Sequence, residues 1–270
     1  MPEFNTPRPV TMSLRLAGGG AEIIAEDRVN AVVEVSPDDD SDASREAAAN
    51  TRVELRGDVL HVDAPEWTGW LFRRGPKVRV TARVPNDGPL VVKVASADVR
   101  ATGRYAQASI STASGDVAVE HVTGDATANS ASGDVHFGRV DGQLRVNTAS
   151  GDTSTSYVGA DVVAHSASGD IHLGFAGASV RANTASGDIT IGTSRTGTVR
   201  VNSASGDVQV GVAAGTGVWL DLNTFSGDAR SNLSSGDASQ GAATLTVQVR
   251  TMSGDIDVHR VAAGAAEAAA

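Results

Sequence analysis

The chain has 270 residues and a formal net charge of -10 at pH 7, with 40% hydrophobic residues, 4% aromatics and no cysteine. An acidic surface repels phosphate backbones, which excludes sequence-independent nucleic-acid binding, and the missing thiols exclude disulfides and thiolate metal sites. Glycine at 30 residues, with aliphatics that are mostly Val and Ala, suits tight turns and thin sheets rather than a helical core.

Met1 to Val10 lacks a basic stretch followed by an apolar one, so no secretory signal is read there. No run of 18 apolar residues exists, so no membrane span is expected. Both point to a cytoplasmic protein, with export by a route that leaves no such mark still open. Residues 1–94 are rich in strand signals: Val10–Leu16, Ile23–Ala25, Val29–Val35, Val53–Leu55, Val59–Val62, Val78–Val84 and Leu90–Val94 alternate or are β-branched. Gly18-Gly19-Gly20, Gly57-Asp58 and Asn86-Asp87-Gly88-Pro89 punctuate them. Asp38 to Asp42 forms an acidic loop, and Ser44 to Asn50 has the composition of one or two helical turns. This region is expected to cap the first level of whatever follows, because the open end of a stacked sheet must be covered.

One segment stands apart. Trp67, Trp70, Phe72, Arg73 and Arg74 crowd between two strand signals. Large aromatics are costly to leave wet, so one reading folds them back as a hydrophobic cap. The other makes them a contact loop for a protein partner or for peripheral contact with an anionic membrane surface.

From residue 95 to 261 the chain repeats. Ser-Gly-Asp begins at Ser114, Ser132, Ser150, Ser168 and Ser186, always 18 residues apart, then at Ser205 after 19, Ser226 after 21 and Ser253 after 27. A degenerate copy, Ser96-Ala97-Asp98, lies 18 before the first, and an extra one, Ser235-Gly236-Asp237, falls in the last interval. After each Asp comes an apolar column: Val99, Val117, Val135, Thr153, Ile171, Ile189 and Val208. Two residues on, Ala101, Val119, Phe137, Thr155, Leu173, Ile191 and Val210 form another, with small or polar residues between. This period of two marks a strand with one buried face. Leu144, Val162 and Val180, with Val146, Ala164 and Ala182, do the same in the second half of each repeat. The prediction is an all-β, parallel β-solenoid of about nine coils of about 18 residues, each strand pairing with its copies on neighbouring coils at ~4.8 Å. The lengthened coils, from Ala204 and from Phe225, should project loops. The Ala-rich residues 262–270 read as a tail or short terminal helix.

The corner residues are the most visible candidates: Ser114, Gly115, Asp116, Ser132, Gly133, Asp134, Ser150, Gly151, Asp152, Ser168, Gly169, Asp170, Ser186, Gly187, Asp188, Ser205, Gly206 and Asp207. Carboxylates stacked at roughly 5 Å repel by about 0.8 kcal/mol per neighbouring pair even in water, so something must compensate. Asx-type bonding to turn amides or to a neighbouring Ser hydroxyl would do so, which makes the corner a structural turn ladder. A cation ladder is the alternative, but calcium-binding β-rolls carry paired glycines that this corner lacks. Asn129, Asn147, Asn183, Asn202 and Asn223 form a second column, read as a stacked amide ladder. The six histidines assemble neither a metal site nor a triad, so no catalytic residue, metal or cofactor is assigned.

The series (Ala/Thr)-Ser-Gly-Asp-(Val/Ile)-x-(Val/Leu/Ile), with the strand-rich N-terminal part ending in Val84-Pro85, resembles a bacterial family of β-strand-repeat proteins, candidate adhesins of unknown function. The resemblance covers roughly Val10 to Val261. It implies a β-solenoid and carries no catalytic residues across. The expected function is therefore a non-enzymatic, adhesin-like scaffold or interaction protein, acting through an unknown protein partner or by self-association. Surface adhesion or glycan binding is the alternative. A carbohydrate-active β-helix enzyme is disfavoured, because 18-residue coils leave no room for a catalytic cleft.

Overall fold

The structure is a computed structural model, and it describes residues 2–6, 8–65, 75–233 and 244–261. The described residues are all-β but for one helix, and the chain folds as a parallel β-solenoid. It divides into two units, Met1–His136 and Phe137–Ala270.

The first unit holds β1 (Glu3–Asn5), β2 (Thr11–Glu26), β3 (Asn30–Pro37), helix α1 (Asp42–Asn50), β4 (Arg52–Arg56), β5 (Val59–Asp63), β6 (Val78–Pro85), β7 (Gly88–Thr112), β8 (Val117–Val122) and β9 (Ala126–Ser130). The 25-residue β7 replaces the separate strands expected on either side of Ser96-Ala97-Asp98. That corner has Ala97 where the others have glycine, and its backbone stays in the ladder. Farther along β7, at Gly103, φ is +87° and the register with β8 slips.

The N-terminal strands are stacked out of sequence order. β2 pairs in parallel with β7 on one edge, Met12 opposite Leu90 and Ile23 opposite Ala101. On its other edge it pairs in parallel with β5 and then β6, Leu14 opposite Val62 and Ile23 opposite Ala82. β3 and β4 close that side as antiparallel strands against β6 and β5, and β1 adds to β3. Helix α1 joins β3 to β4. Ser41 caps it, its hydroxyl accepting the Ser44 amide at 3.1 Å, and buried Ser44 accepts the Lys77 amide at 2.9 Å. The core is Leu14, Ile23, Leu60, Val80, Leu90, Val119 and their like, all essentially inaccessible. Buried Tyr105 gives its single phenol proton to the Ile23 and Thr102 carbonyls, both at 3.0 Å, and burial pushes its pKa up.

The second unit begins within β10 (Val135–Val140). It continues as β11 (Leu144–Thr148), β12 (Thr153–Val158), β13 (Val162–Ser166), β14 (Ile171–Ala176), β15 (Val180–Ser186), β16 (Ile189–Ser194), β17 (Gly197–Ser205), β18 (Val208–Val212), β19 (Val218–Ser226), β20 (Ala229–Ser231), β21 (Leu245–Ser253) and β22 (Ile256–Arg260). One sheet stacks β11, β13, β15 and β17, with Leu144, Val162, Val180 and Val199 in register. The other stacks β12, β14, β16 and β18, with Thr155, Leu173, Ile191 and Val210 in register. These columns are those the 18-residue period predicts.

The end departs from the period. Successive coils were expected to stack in chain order, but β17 pairs with β21, and β21 with β19; likewise β18 pairs with β22, and β22 with β20. The last level in sequence is therefore inserted one place inward. The cause lies in burial: Leu245, Val247, Val249, Ile256 and Val258 are a full apolar set and are wholly buried. β20 supplies only three exposed residues, too few to close a core.

Candidate functional site

One hydrogen bond recurs at the corners within each unit. The Asp116 amide donates to Oδ1 of Asp98 at 3.0 Å and the Asp134 amide to Asp116 at 2.9 Å, within the first unit. In the second unit Asp170 donates to Asp152, Asp188 to Asp170, Asp207 to Asp188 and Asp255 to Asp207, each at 2.8 Å, and Asp228 to Asp255 at 2.9 Å. One carboxylate oxygen per level thus accepts the amide of the next Asp. Such charge-assisted bonds are each worth about 1.5–3 kcal/mol, enough to offset about 0.9 kcal/mol of repulsion between neighbours at the strand spacing. The ladder follows stacking order: Asp255 sits between Asp207 and Asp228.

Glycine is required because the levels touch. A Cβ at Gly133 would lie 2.1 Å from the Gly115 carbonyl oxygen, and one at Gly169 would lie 2.1 Å from that of Gly151. The corner also changes type along the column. At Gly151 and Gly169 the amide is taken by a hydroxyl of the same coil, Thr148 Oγ1 at 3.0 Å and Ser166 Oγ at 2.7 Å. From Gly187 onward it reaches the next level, the Ser205 carbonyl for Gly187 and the Ser253 carbonyl for Gly206, both at 3.1 Å. Gly206 and Gly254 then take φ of +132° and +137°. The hydroxyls of Thr184 and Ser203, released by this change, are buried without a partner among the described residues.

This hydroxyl column (Thr112, Ser130, Thr148, Ser166, Thr184, Ser203, Thr251) has no counterpart in the readings drawn from sequence. Its signal was present: a Ser or Thr recurs three residues before each corner glycine in the inner coils. The amide ladder is shorter than the spacing implied. Asn202 donates to Asn183 at 2.8 Å, but His165 stands on the far side of Asn183, and the inserted level puts Arg250 between Asn202 and Asn223.

Beside the corner, a shallow groove of about 730 Å³ in the first unit is bounded by Lys77, Arg79, Arg100, Glu22, Asp38 and Asp116. Its charges are mixed, and Arg79 is already paired with Asp38 at 2.5 Å. In the second unit Arg139 lies 4.1 Å over the ring of Tyr157, which stacks on Phe175 at 5.1 Å. Trp67, Trp70, Phe72, Arg73 and Arg74 fall outside the described residues. Among the described residues no cluster of three or more His, Asp or Glu side chains could hold a metal ion, and no helix is long and apolar enough to cross a membrane.

Three solved structures are similar to the chain: a candidate adhesin from Bacteroides fragilis (12% identity, 96% of this chain and 95% of that one, TM-score 0.45), a candidate lipid-binding protein from Parabacteroides distasonis (12%, 97% and 96%, TM-score 0.45) and a candidate adhesin from the same organism (11%, 96% and 95%, TM-score 0.37). Similarity at this level transfers no residue and no ligand. No curated protein matches the chain. The Toastrack DUF4097 family, however, matches it over residues 22–259, and the chain is a member of that family.

Proposed function

We propose that the protein is a non-enzymatic, adhesin-like interaction scaffold that presents polar ladders on a stiff solenoid to a protein partner. One observation carries the reading. The aspartates and glycines of the Ser-Gly-Asp corners, which look most like chemistry, hold levels together: Asp152, Asp170 and Asp188 each accept a neighbouring amide, and Gly169, Gly187 and Gly206 leave room for a carbonyl. A group committed to backbone satisfaction at every level is a poor nucleophile or general base. On this reading Ser114 through Asp207 form a structural turn ladder, residues 1–94 cap the repeat domain of residues 95–261, and residues 262–270 are a tail. Trp67 to Arg74 is the loop best suited by composition to peripheral contact. A cytoplasmic location belongs to the same reading.

Cross-linked native pull-down with the full chain tests it. A saturable protein partner, together with no product released from polysaccharides, is the expected result. Polysaccharide turnover by the full chain, or the absence of any partner across envelope and cytosolic fractions, overturns it.

A further inference from the structure

The second unit ends on a level unlike those behind it. β19 pairs with β21 along one edge and, among the described residues, with no strand along the other. Its inward row, Val218, Leu220 and Leu222, is half-buried, whereas Leu245, Val247 and Val249 one level in are completely buried. A strand that offers free amides and carbonyls beside a half-wet apolar row is a template for another strand. β19 contains no proline and no lysine, and its one charged residue is Asp221.

The outward residues change at the same place. The residue before the corner Ser is Ala113, Ala131, Ala149, Ala167, Ala185 and Ala204 in the inner coils, but Met252 and Phe225 in the two outermost levels. Phe225 is 92% exposed, Met252 66% and Trp219 51%. Trp219 occupies the column held by Thr246 and Thr198 at the levels behind it. Large exposed apolar side chains gathered on one end mark a contact surface rather than scattered surface residues.

We infer that β19 is the self-association edge of this chain, pairing antiparallel with β19 of a second copy about a two-fold axis through Leu222. That register is self-complementary. It sets Trp219 of one copy opposite Phe225 of the other, Leu220 opposite Thr224, and Leu222 opposite itself. It also sets Asp221 opposite Asn223. Sliding the centre by one residue to Asp221 would put the two Asp221 carboxylates face to face, which is destabilising. Within each copy Arg250 on β21 lies 4.0 Å from Asp221 and offsets its charge. The inference deepens the reading of the chain as an interaction scaffold by naming one partner, a second copy.

Sedimentation equilibrium of the full chain from 1 to 100 µM gives the first readout, and a two-fold increase in mass is expected. The double variant Trp219→Glu/Phe225→Glu should weaken the dimer more than tenfold while its far-UV spectrum and thermal transition stay those of the parent. Register is tested by Leu222→Cys. Residues directly opposed across an antiparallel pair lie about 4.5–5.5 Å apart at Cα, within disulfide reach. The chain has no other cysteine, so mild oxidation should give a covalent dimer. Ala185→Cys, at the corner position of an inner level, should give none. A monomer throughout the concentration range, a dimer indifferent to the double variant, or equal cross-linking of the two cysteine variants overturns the proposal. A monomer would leave the scaffold reading to its own pull-down. Cover of β19 by residues 234–243 or 262–270 of the same chain would register as that monomer.

Discussion

Replacing Gly169 with alanine tests the stacked corner directly. The added Cβ would stand 2.1 Å from the Gly151 oxygen and 2.7 Å from its carbon, nearly 1 Å inside the closest approach real Cβ atoms make. The obstacle is backbone, so nothing can rotate away and the two levels must part. The bonds across the levels on either side of Gly169 run from the Ser168 amide to Ala149 O at 2.9 Å and from the Asp170 amide to Asp152 Oδ1 at 2.8 Å. At about 1 kcal/mol for the first and about 1.5–3 kcal/mol for the charge-assisted second, the variant should lose roughly 2.5–4 kcal/mol. Urea unfolding followed by far-UV circular dichroism gives the loss, and hydrogen exchange at the Asp170 amide locates it. Gly20→Ala is the control, since its Cβ meets nothing nearer than 3.7 Å; it should change stability by less than about 0.5 kcal/mol. A loss under about 1 kcal/mol for Gly169→Ala, or equal losses for the two, would refute the claim that the levels are in contact there.

Four further positions carry expected outcomes. Asp170→Ala removes an acceptor and should cost about 1.5–3 kcal/mol in urea melts. Asp170→Asn keeps an acceptor oxygen and relieves two like-charge neighbours, so it should cost less than half as much. Thr148→Val strips the hydroxyl that holds both the amide and the carbonyl of Gly151, a loss of about 1–2 kcal/mol by chemical denaturation. Thr153→Val should instead raise the denaturation midpoint by about 1 kcal/mol equivalent, because the Thr153 hydroxyl is buried with no partner among the described residues. Finally, Asp39 takes hydrogen bonds from the Ser41 amide and hydroxyl in front of α1, and its pKa is lowered to about 2, chiefly by that hydroxyl. A depressed folded value means a contribution present above the ordinary carboxylate range and lost as pH falls toward 2. Carbon-detected NMR of the Asp39 carboxyl should find its midpoint near that value, and a midpoint close to 4 would contradict the assignment.

The repeat was legible because parallel stacking forces equivalent residues into one column: a period of 18 that keeps Val, Ile and Leu in step can only bury them by stacking. Strand registers such as Ile171 opposite Ile189 and Val180 opposite Val199 could therefore be read from spacing. Stacking order could not. A period says that two segments are equivalent but not which is the neighbour, and the lengthened intervals before Ser226 and Ser253 give the chain enough slack to bring β21 and β22 inside β19 and β20. The same gap hides the placement of β2 between β7 and the β5–β6 pair, since residues 1–94 carry strand signals without a period. The corner was legible as Ser, Gly and Asp but incomplete. The hydroxyl three residues before the glycine alternates between Ser and Thr, and so escaped a search built on identical letters.

The inserted level has a bearing on how the molecule is made. A ribosome releases β19 and β20 before β21 and β22, so the edges of β17 and β18 are vacant while β19 and β20 emerge beside them. β19 shares with β21 the register that β17 requires: Val218, Leu220 and Leu222 align with Leu245, Val247 and Val249. Nascent β19 can therefore occupy that berth in the same register until β21 is made, and any β19 that does so has to vacate it for the native order to form.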